Sequence, residues 1–247
     1  MAILAVRGVT KSFGGVKALE DVSVDVRENT LLGIIGPNGS GKTTLVNIIT
    51  GFVKPDHGSV LFKEKELLGK SPYKIANMGI GRAFQMVKPF FHLPAFKNMI
   101  VPLSSNRVKA ASGGGYGDKD AVALDVLEEV GFERDSSVPY KPASVLPHGY
   151  LKRLELARLM ALRSDVLILD ELFSGLSIAE VTSIIPIIEK LLLEGKTIIM
   201  VEHRLKELFR IADKVIVLNY GKKIKEGPPK EILEDEEVKK AYLGVEV

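Results

Sequence analysis

Gly36-Pro37-Asn38-Gly39-Ser40-Gly41-Lys42-Thr43 satisfies the pattern G-x-x-x-x-G-K-[S/T] at every position. Its flanks give it meaning. Leu31-Leu-Gly-Ile-Ile35 is an apolar run with the length and composition of a buried strand, and Thr44-Leu-Val-Asn-Ile-Ile-Thr50 has helical character and stops at Gly51. In strand–loop–helix order, Gly36, Gly39 and Gly41 let the backbone curl until successive N–H groups face one point. Pro37, Asn38 and Ser40 complete the curl. Lys42 adds a point charge for β- and γ-phosphates, Thr43 a hydroxyl able to ligate Mg²⁺, and Thr44 falls in the same first turn, at the positive end of the helix. An ordinary glycine-rich turn is the alternative, and the strand before and helix after it argue against that. The segment is expected to bind a nucleoside triphosphate.

The rest of the chain suits such a role. Of 247 residues, 46% are hydrophobic and 26% charged, a soluble globular balance. The net charge of +3 is small and dispersed, which argues against a nucleic-acid partner. With no cysteine, disulfide and thiol chemistry are excluded. Met1–Arg7 reads as a strand rather than a signal peptide. No apolar stretch reaches the roughly 18 residues that cross a bilayer, so a role at a membrane must run through a partner.

Short β-branched runs alternate with amphipathic stretches, the pattern of a mostly parallel sheet wrapped by helices. Strands are expected at Ile3–Val9, Val22–Val26, Leu31–Ile35, Ser59–Phe62, Val166–Leu169, Thr197–Val201 and Lys214–Leu218. Helices are expected at Lys42–Thr50, Asp120–Val130, Leu151–Leu162, Ala179–Leu193 and Arg204–Ala212. Asn219-Tyr-Gly-Lys222 reads as a tight turn between antiparallel strands. Strand signals fade over 91–163, which reads as a helical subdomain inserted between 1–90 and 164–247; Ala111–Asp118 is expected to be a flexible loop inside it.

Val166-Leu-Ile-Leu-Asp170-Glu171 is a buried strand ending in two carboxylates, at the sheet edge where ligands bind in open α/β folds. Asp170 is placed to hold Mg²⁺ and Glu171 to take a proton from an attacking water. A strand leaving the core through charged residues is the plain alternative. His203 ends the next apolar run, Ile198–Glu202, so a parallel strand would deliver it to the same edge; alone, a histidine is more often a packing residue.

These motifs, in order, carry a resemblance along nearly the whole chain. The phosphate loop, Gln85, a Leu-x-x-Gly element at Leu146–Gly149, Asp170-Glu171 and His203 together resemble an ABC (ATP-binding cassette) ATPase. The resemblance implies a single cassette with a RecA-like parallel-sheet core, an antiparallel β subdomain and the inserted helical subdomain. It implies ATP and Mg²⁺ as ligands, Gln85 at the metal or the attacking water, and Phe13 of Thr10–Leu19 against the adenine, although Phe13 also reads as a core aromatic. Gly81–Phe90, Gly221–Gly227 and Ala241–Gly244 resemble ATPase subunits of branched-chain amino-acid importers. The implied machine is a head-to-tail dimer, homo- or heteromeric, beneath transmembrane permease subunits on the inner face of the cell membrane, with a solute-binding protein engaged indirectly. Met86–Asn98 is expected to form the permease groove, while Phe90, Phe91 and Phe96 individually read as core. A soluble non-transport ABC ATPase and an ATP-holding regulatory subunit are the competing readings.

Three departures bear on mechanism. Where the family commonly shows Leu-Ser-Gly-Gly-Gln, this chain has Leu146-Pro147-His148-Gly149-Tyr150, so the serine hydroxyl is gone and Tyr150 stands for an amide. One charge-assisted bond lost to a phosphate costs roughly 1.5–3 kcal/mol. Gly149 keeps its N–H, and a helix from Leu151 is expected to present its N-terminus. Leu172 replaces the usual proline after Glu171, and Ser174-Gly-Leu-Ser177 ends in serine where aspartate is common. The chain thus keeps its own hydrolytic set but offers a weakened surface to a partner's ATP, which predicts asymmetry, with a heterodimer favoured.

Overall fold

A computed structural model of the chain describes residues 2–111 and 117–243. Most of the flexible loop expected at Ala111–Asp118, and Gly244 of the last quoted motif, lie outside the described residues.

Among the described residues there are two sheets. In the first, β1 (Ala2–Phe13) and β2 (Val16–Arg27) form a long antiparallel hairpin turning at Gly14-Gly15, and β4 (His57–Phe62) and β5 (Lys65–Glu66) extend it in the order β2-β1-β4-β5. The second runs β10-β9-β3-β8-β7-β6, built from β3 (Leu31–Ile35), β6 (Ile80–Ala83), β7 (Val166–Asp170), β8 (Thr197–Val201), β9 (Lys214–Asn219) and β10 (Lys222–Gly227). Its neighbours pair in parallel except β10, which returns antiparallel after the tight turn. The helices are α1 (Lys42–Ile49), α2 (Pro72–Met78), α3 (Ile100–Leu103), α4 (Asn106–Ala111), α5 (Lys119–Glu129), α6 (His148–Ala161), α7 (Ile178–Leu193), α8 (Leu205–Ile211), α9 (Pro229–Glu234) and α10 (Glu236–Leu243).

The two-residue period of a strand divides the interior. Every residue of β3, β7 and β8 is buried, so both faces of the parallel sheet must be covered. Leu32, Ile34, Ile168, Ile199 and Val201 point into one core with α1 and the first sheet. Leu31, Ile35, Leu167, Leu169, Ile198 and Met200 point into the other, with α5, α6 and α7.

Several boundaries differ from expectation. β1 and β2 run well beyond Ile3–Val9 and Val22–Val26, because polar outward residues alternate with Leu4, Val6, Val9, Leu19, Val22 and Val24 across one buried face. The edge strand β6 went unrecognised; at four residues it is too short to show a period. α6 starts at His148 rather than Leu151, since Pro147 supplies a φ of −55° at the N-cap, where a missing N–H costs nothing. Phe90 and Phe91 are exposed rather than core, while Phe96 packs partly buried on the helical core.

Candidate active site

Parallel pairing of β3, β8 and β7 places the ends of these strands along one edge, so residues distant in sequence meet there. The loop from β3 to α1 requires its glycines. A Cβ on Gly36, at φ +151°, would lie 2.1 Å from the Leu218 carbonyl, and one on Gly41, at φ +105°, 2.5 Å from the Ala18 carbonyl. Hydrogen bonds from the Gly221 N–H to the Ser40 carbonyl (3.1 Å) and from the Glu20 N–H to the Gly221 carbonyl (2.8 Å) brace the loop against the β9–β10 turn and β2.

Lys42 is buried and folds back over this loop, donating to the carbonyls of Gly36 (2.7 Å) and Pro37 (3.0 Å). Burial lowers its pKa against the opposing pull of Glu171 and Asp170. Pro37 is half-buried and Asn38, Gly39 and Thr43 are exposed, with Thr44 half-buried behind them. α1 starts from left-handed Gly41 with no side-chain cap, which leaves its first N–H groups for an anion. The buried Ser40 hydroxyl has no hydrogen-bond partner among the described residues. An orphaned hydroxyl, a free helix start and a buried ammonium around one cradle fit a polyphosphate. Phe13, 48% exposed at the tip of the hairpin whose second strand touches Gly41, is a surface aromatic rather than a core one.

Asp170 is buried, and its Oδ2 pairs with Arg82 Nη2 at 2.6 Å. Arg82 also donates to Asn47 (2.7 Å) and Thr50 (3.3 Å). Glu171 sits in the left-handed region at φ +52°, a conformation that costs a side-chain-bearing residue of order 1 kcal/mol. Its carboxylate is held on both oxygens, by the Gln85 amide at 2.6 Å and by His203 Nε2 at 3.2 Å. Lys42, Gln85, Asp170, Glu171 and His203 therefore converge. Among the described residues no cluster of three or more His, Cys, Asp or Glu could hold a metal unaided. The donors present, the Thr43 hydroxyl, the Gln85 amide oxygen and the free Asp170 oxygen, suit a Mg²⁺ shared with phosphates, the ion's usual arrangement.

Three neighbours of this site escaped the sequence reading. Arg82 stands three residues before Gln85 in a quoted motif, but β6 is too short to reveal which way its side chain faces. Glu202 is 2% exposed and accepts from the Phe173 N–H at 2.8 Å; burial pushes its carboxyl up to about 7. Lys152 is buried on α6, in a run whose polar letters gave no hint of burial.

Gly149 lies in the first turn of α6, where a Cβ would meet Glu180 Oε1 at 2.3 Å. The His148 ring lies 3.2 Å from the Ser174 carbonyl. Tyr150 packs edge-on against Phe132, with centroids 4.9 Å apart. Ser177 caps α7 in a reciprocal capping box with Glu180, which gives the serine a structural reason. Away from the edge, a cleft of ≈ 830 Å³ opens between α2, α3 and α6, walled by Phe52, Tyr73, Phe84, Ile100 and Val101 with Arg82, Lys88, Glu155 and Arg158. Of the expected groove residues 86–98, only Lys88 lines it.

The ABC transporter family model matches residues 19–174. The chain belongs to the ABC transporter family. A second model, for branched-chain amino acid ATP-binding cassette transporters, matches residues 222–247 of this ABC ATPase. It is 34% identical to the high-affinity branched-chain amino acid transport ATP-binding protein LivG of Salmonella typhimurium and to BraF of Pseudomonas aeruginosa, over 98% of both chains in each case. It is 31% identical to the probable LivG of Archaeoglobus fulgidus, over 100% of this chain and 97% of that one. Among solved structures it superposes on an ATP-binding cassette of an ABC transporter in its ADP conformation, with TM-score 0.85 and 31% identity over 99% and 100% of the two chains. A dimeric bacterial ABC transporter cassette gives TM-score 0.79 and 25% identity over 92% and 98%. The chain is thus a nucleotide-binding, ATP-hydrolysing subunit with the ABC cassette fold, and its ATPase activity is coupled to transport.

Proposed function

We propose that this subunit hydrolyses ATP at its own phosphate loop, with Glu171 as general base, to drive uptake of a branched-chain or other amino acid. The observation that carries the assignment is the capture of both Glu171 oxygens by Gln85 and His203, which aims a strained residue at the edge where Lys42 sits. Lys42, the loop N–H groups of Gly36–Thr44 and the Ser40 hydroxyl hold the phosphates; Phe13 offers its exposed face to the base. Thr43, Gln85 and Asp170 hold Mg²⁺, which neutralises phosphate charge. His203 orients Glu171 and reaches toward the γ-phosphate.

The ≈ 830 Å³ cleft is assigned to a cytoplasmic helix of a permease subunit, because five exposed apolar walls beside Lys88 and the Arg158–Glu155 pair suit an amphipathic helix. No helix among the described residues is long and apolar enough to cross a membrane, so attachment to the inner face runs through that helix. A solute-binding protein would act through the permease. The amino-acid substrate is supported by the match over 222–247.

Two such cassettes would close head to tail, each ATP facing the partner's Gly149. On this chain that surface lacks a serine hydroxyl, and Pro147 makes no side-chain cap. A heterodimer follows, in which this chain's ATP is turned over against a partner with a complete signature while the partner's ATP is held longer. Glu171→Gln is the test. It should abolish turnover and trap ATP in a closed dimer that elutes earlier in gel filtration; unchanged turnover would refute the assignment.

A further inference from the structure

Lys152, in the second turn of α6, is 1% exposed, and among the described residues no carboxylate lies within ion-pair distance of it. Its ammonium donates to two main-chain carbonyls, those of Gln85 (3.0 Å) and Glu171 (3.1 Å). Burying an ammonium without a paired anion is costly, and a methionine of similar length would fill the space without that cost. Burial accordingly lowers its pKa, against the opposing charges of Glu202, Glu171, Glu155 and Asp170.

The two carbonyls it joins are not arbitrary. β6 and β7 pair in parallel up to Ala83 with Leu169, so Gln85 and Glu171 stand two positions further along that register. There β6 has ended and Glu171 has turned to φ +52°, its N–H continuing the β7–β8 ladder at the Val201 carbonyl while nothing in the sheet, among the described residues, holds it to Gln85. The sheet no longer fixes the spacing of these two residues, yet the 2.6 Å contact between their side chains depends on it. Lys152 spans the gap with two donors from the helix whose first turn carries Gly149.

We propose that Lys152 is a positioning residue for hydrolysis: it ties α6 to the Gln85 and Glu171 backbones and sets the Gln85–Glu171 side-chain geometry. Movement of α6 relative to the sheet then shifts Gln85 and Glu171 together.

The proposal rests on Glu171 as general base, so Glu171→Gln is run in parallel. In the full chain assembled with its permease and partner ATPase, Lys152→Met should lower kcat roughly 10–100-fold, the scale of a misplacement near 1 Å, while KM for ATP and nucleotide affinity stay within about twofold. Lys152→Arg, which keeps two donors, should recover most of the loss. A purely structural lysine predicts the reverse: kcat unchanged, with Tm equal or higher in Lys152→Met. That result, with Glu171→Gln inactive, overturns the role of Lys152 alone. Wild-type turnover in Glu171→Gln overturns the reading of the site beneath it. Should Lys152→Met not fold, Lys152→Gln is read on the same kcat and KM axes; a wild-type kcat there overturns the proposal as well.

Discussion

Replacing Arg82 by methionine isolates the electrostatics of the proposed metal carboxylate. The Arg82–Asp170 pair has side chains only 6% and 5% exposed, so solvent screening offers little relief. Removing one partner of a buried pair typically costs about 3–5 kcal/mol, most of it the penalty of the charge left behind. Arg82 also serves Asn47 and Thr50, whose acceptors lose a donor. In a chain of this size each kcal/mol moves Tm by about 2–4 °C, so a fall of roughly 6–20 °C is expected. The direct assay is thermal unfolding of wild type, Arg82→Met, Asp170→Asn and the double variant. The double variant should be more stable than the sum of the single losses predicts, with a coupling energy of about 1–3 kcal/mol. Mg²⁺ with ATP should restore more of the Arg82→Met Tm than it adds to wild type, because the cation neutralises the bared Asp170. A Tm loss below about 2 °C, or strictly additive single losses, would refute the reasoning.

Two further predictions concern the surrounding shell. Burial raises Glu202 from 4.5 to about 7, with Glu171 adding to the shift and the N–H groups of Phe173 and His203, then Lys152, opposing it. The native state therefore holds this proton where the unfolded chain has released it, so its contribution is fully present below about 4.5, declines as pH rises to about 7 and is flat above. Glu202→Gln, still able to accept from Phe173, should gain up to ~3 kcal/mol at pH 8 and almost nothing at pH 4.5; equal denaturant-midpoint shifts at both pH values would contradict the shift. Gly149→Ala should push Glu180 off its capping box with Ser177 and lower Tm; an unchanged Tm would show that Glu180 moves aside without loss.

The phosphate loop, the acidic strand and His203 were legible because each is tied to a buried strand, and near-continuous apolar runs such as Val166–Leu169 and Ile198–Val201 advertise a strand covered on both faces. Parallel pairing then makes their convergence a matter of topology. What stayed hidden depends on distances that no local pattern encodes. β6 is too short to show alternation, although it carries Arg82 to Asp170. Lys152 reads as a solvated helical residue, and only the assembled fold shows its ammonium bridging two carbonyls. The cleft went unforeseen for a similar reason. Phe90 and Phe91 looked like core and are exposed, while the walls come from α2, α3 and the end of β6, segments joined only in space.

The cleft and the hydrolytic edge share residues, which bears on how a transport ATPase couples its two ends. Arg82 lines the cleft and holds Asp170; three residues on, Gln85 holds Glu171; three more, Lys88 lines the cleft again and gives its carbonyl to Arg158 of α6 at 3.2 Å. A helix seated in the cleft would therefore press on one continuous stretch, 82–88, that contacts both Asp170 and Glu171. Shared residues alone do not establish coupling; a two-state element biased from both sides does. The segment beyond β6 qualifies physically, since it has left the sheet ladder and is fastened by side chains, Arg158 and Lys152, that both belong to α6. If α6 is the moving part, occupancy of the cleft and the geometry at Glu171 must respond together. Arg158→Ala should then weaken stimulation of ATP turnover by the permease while leaving nucleotide affinity intact. Full stimulation in that variant would place the coupling elsewhere than this segment.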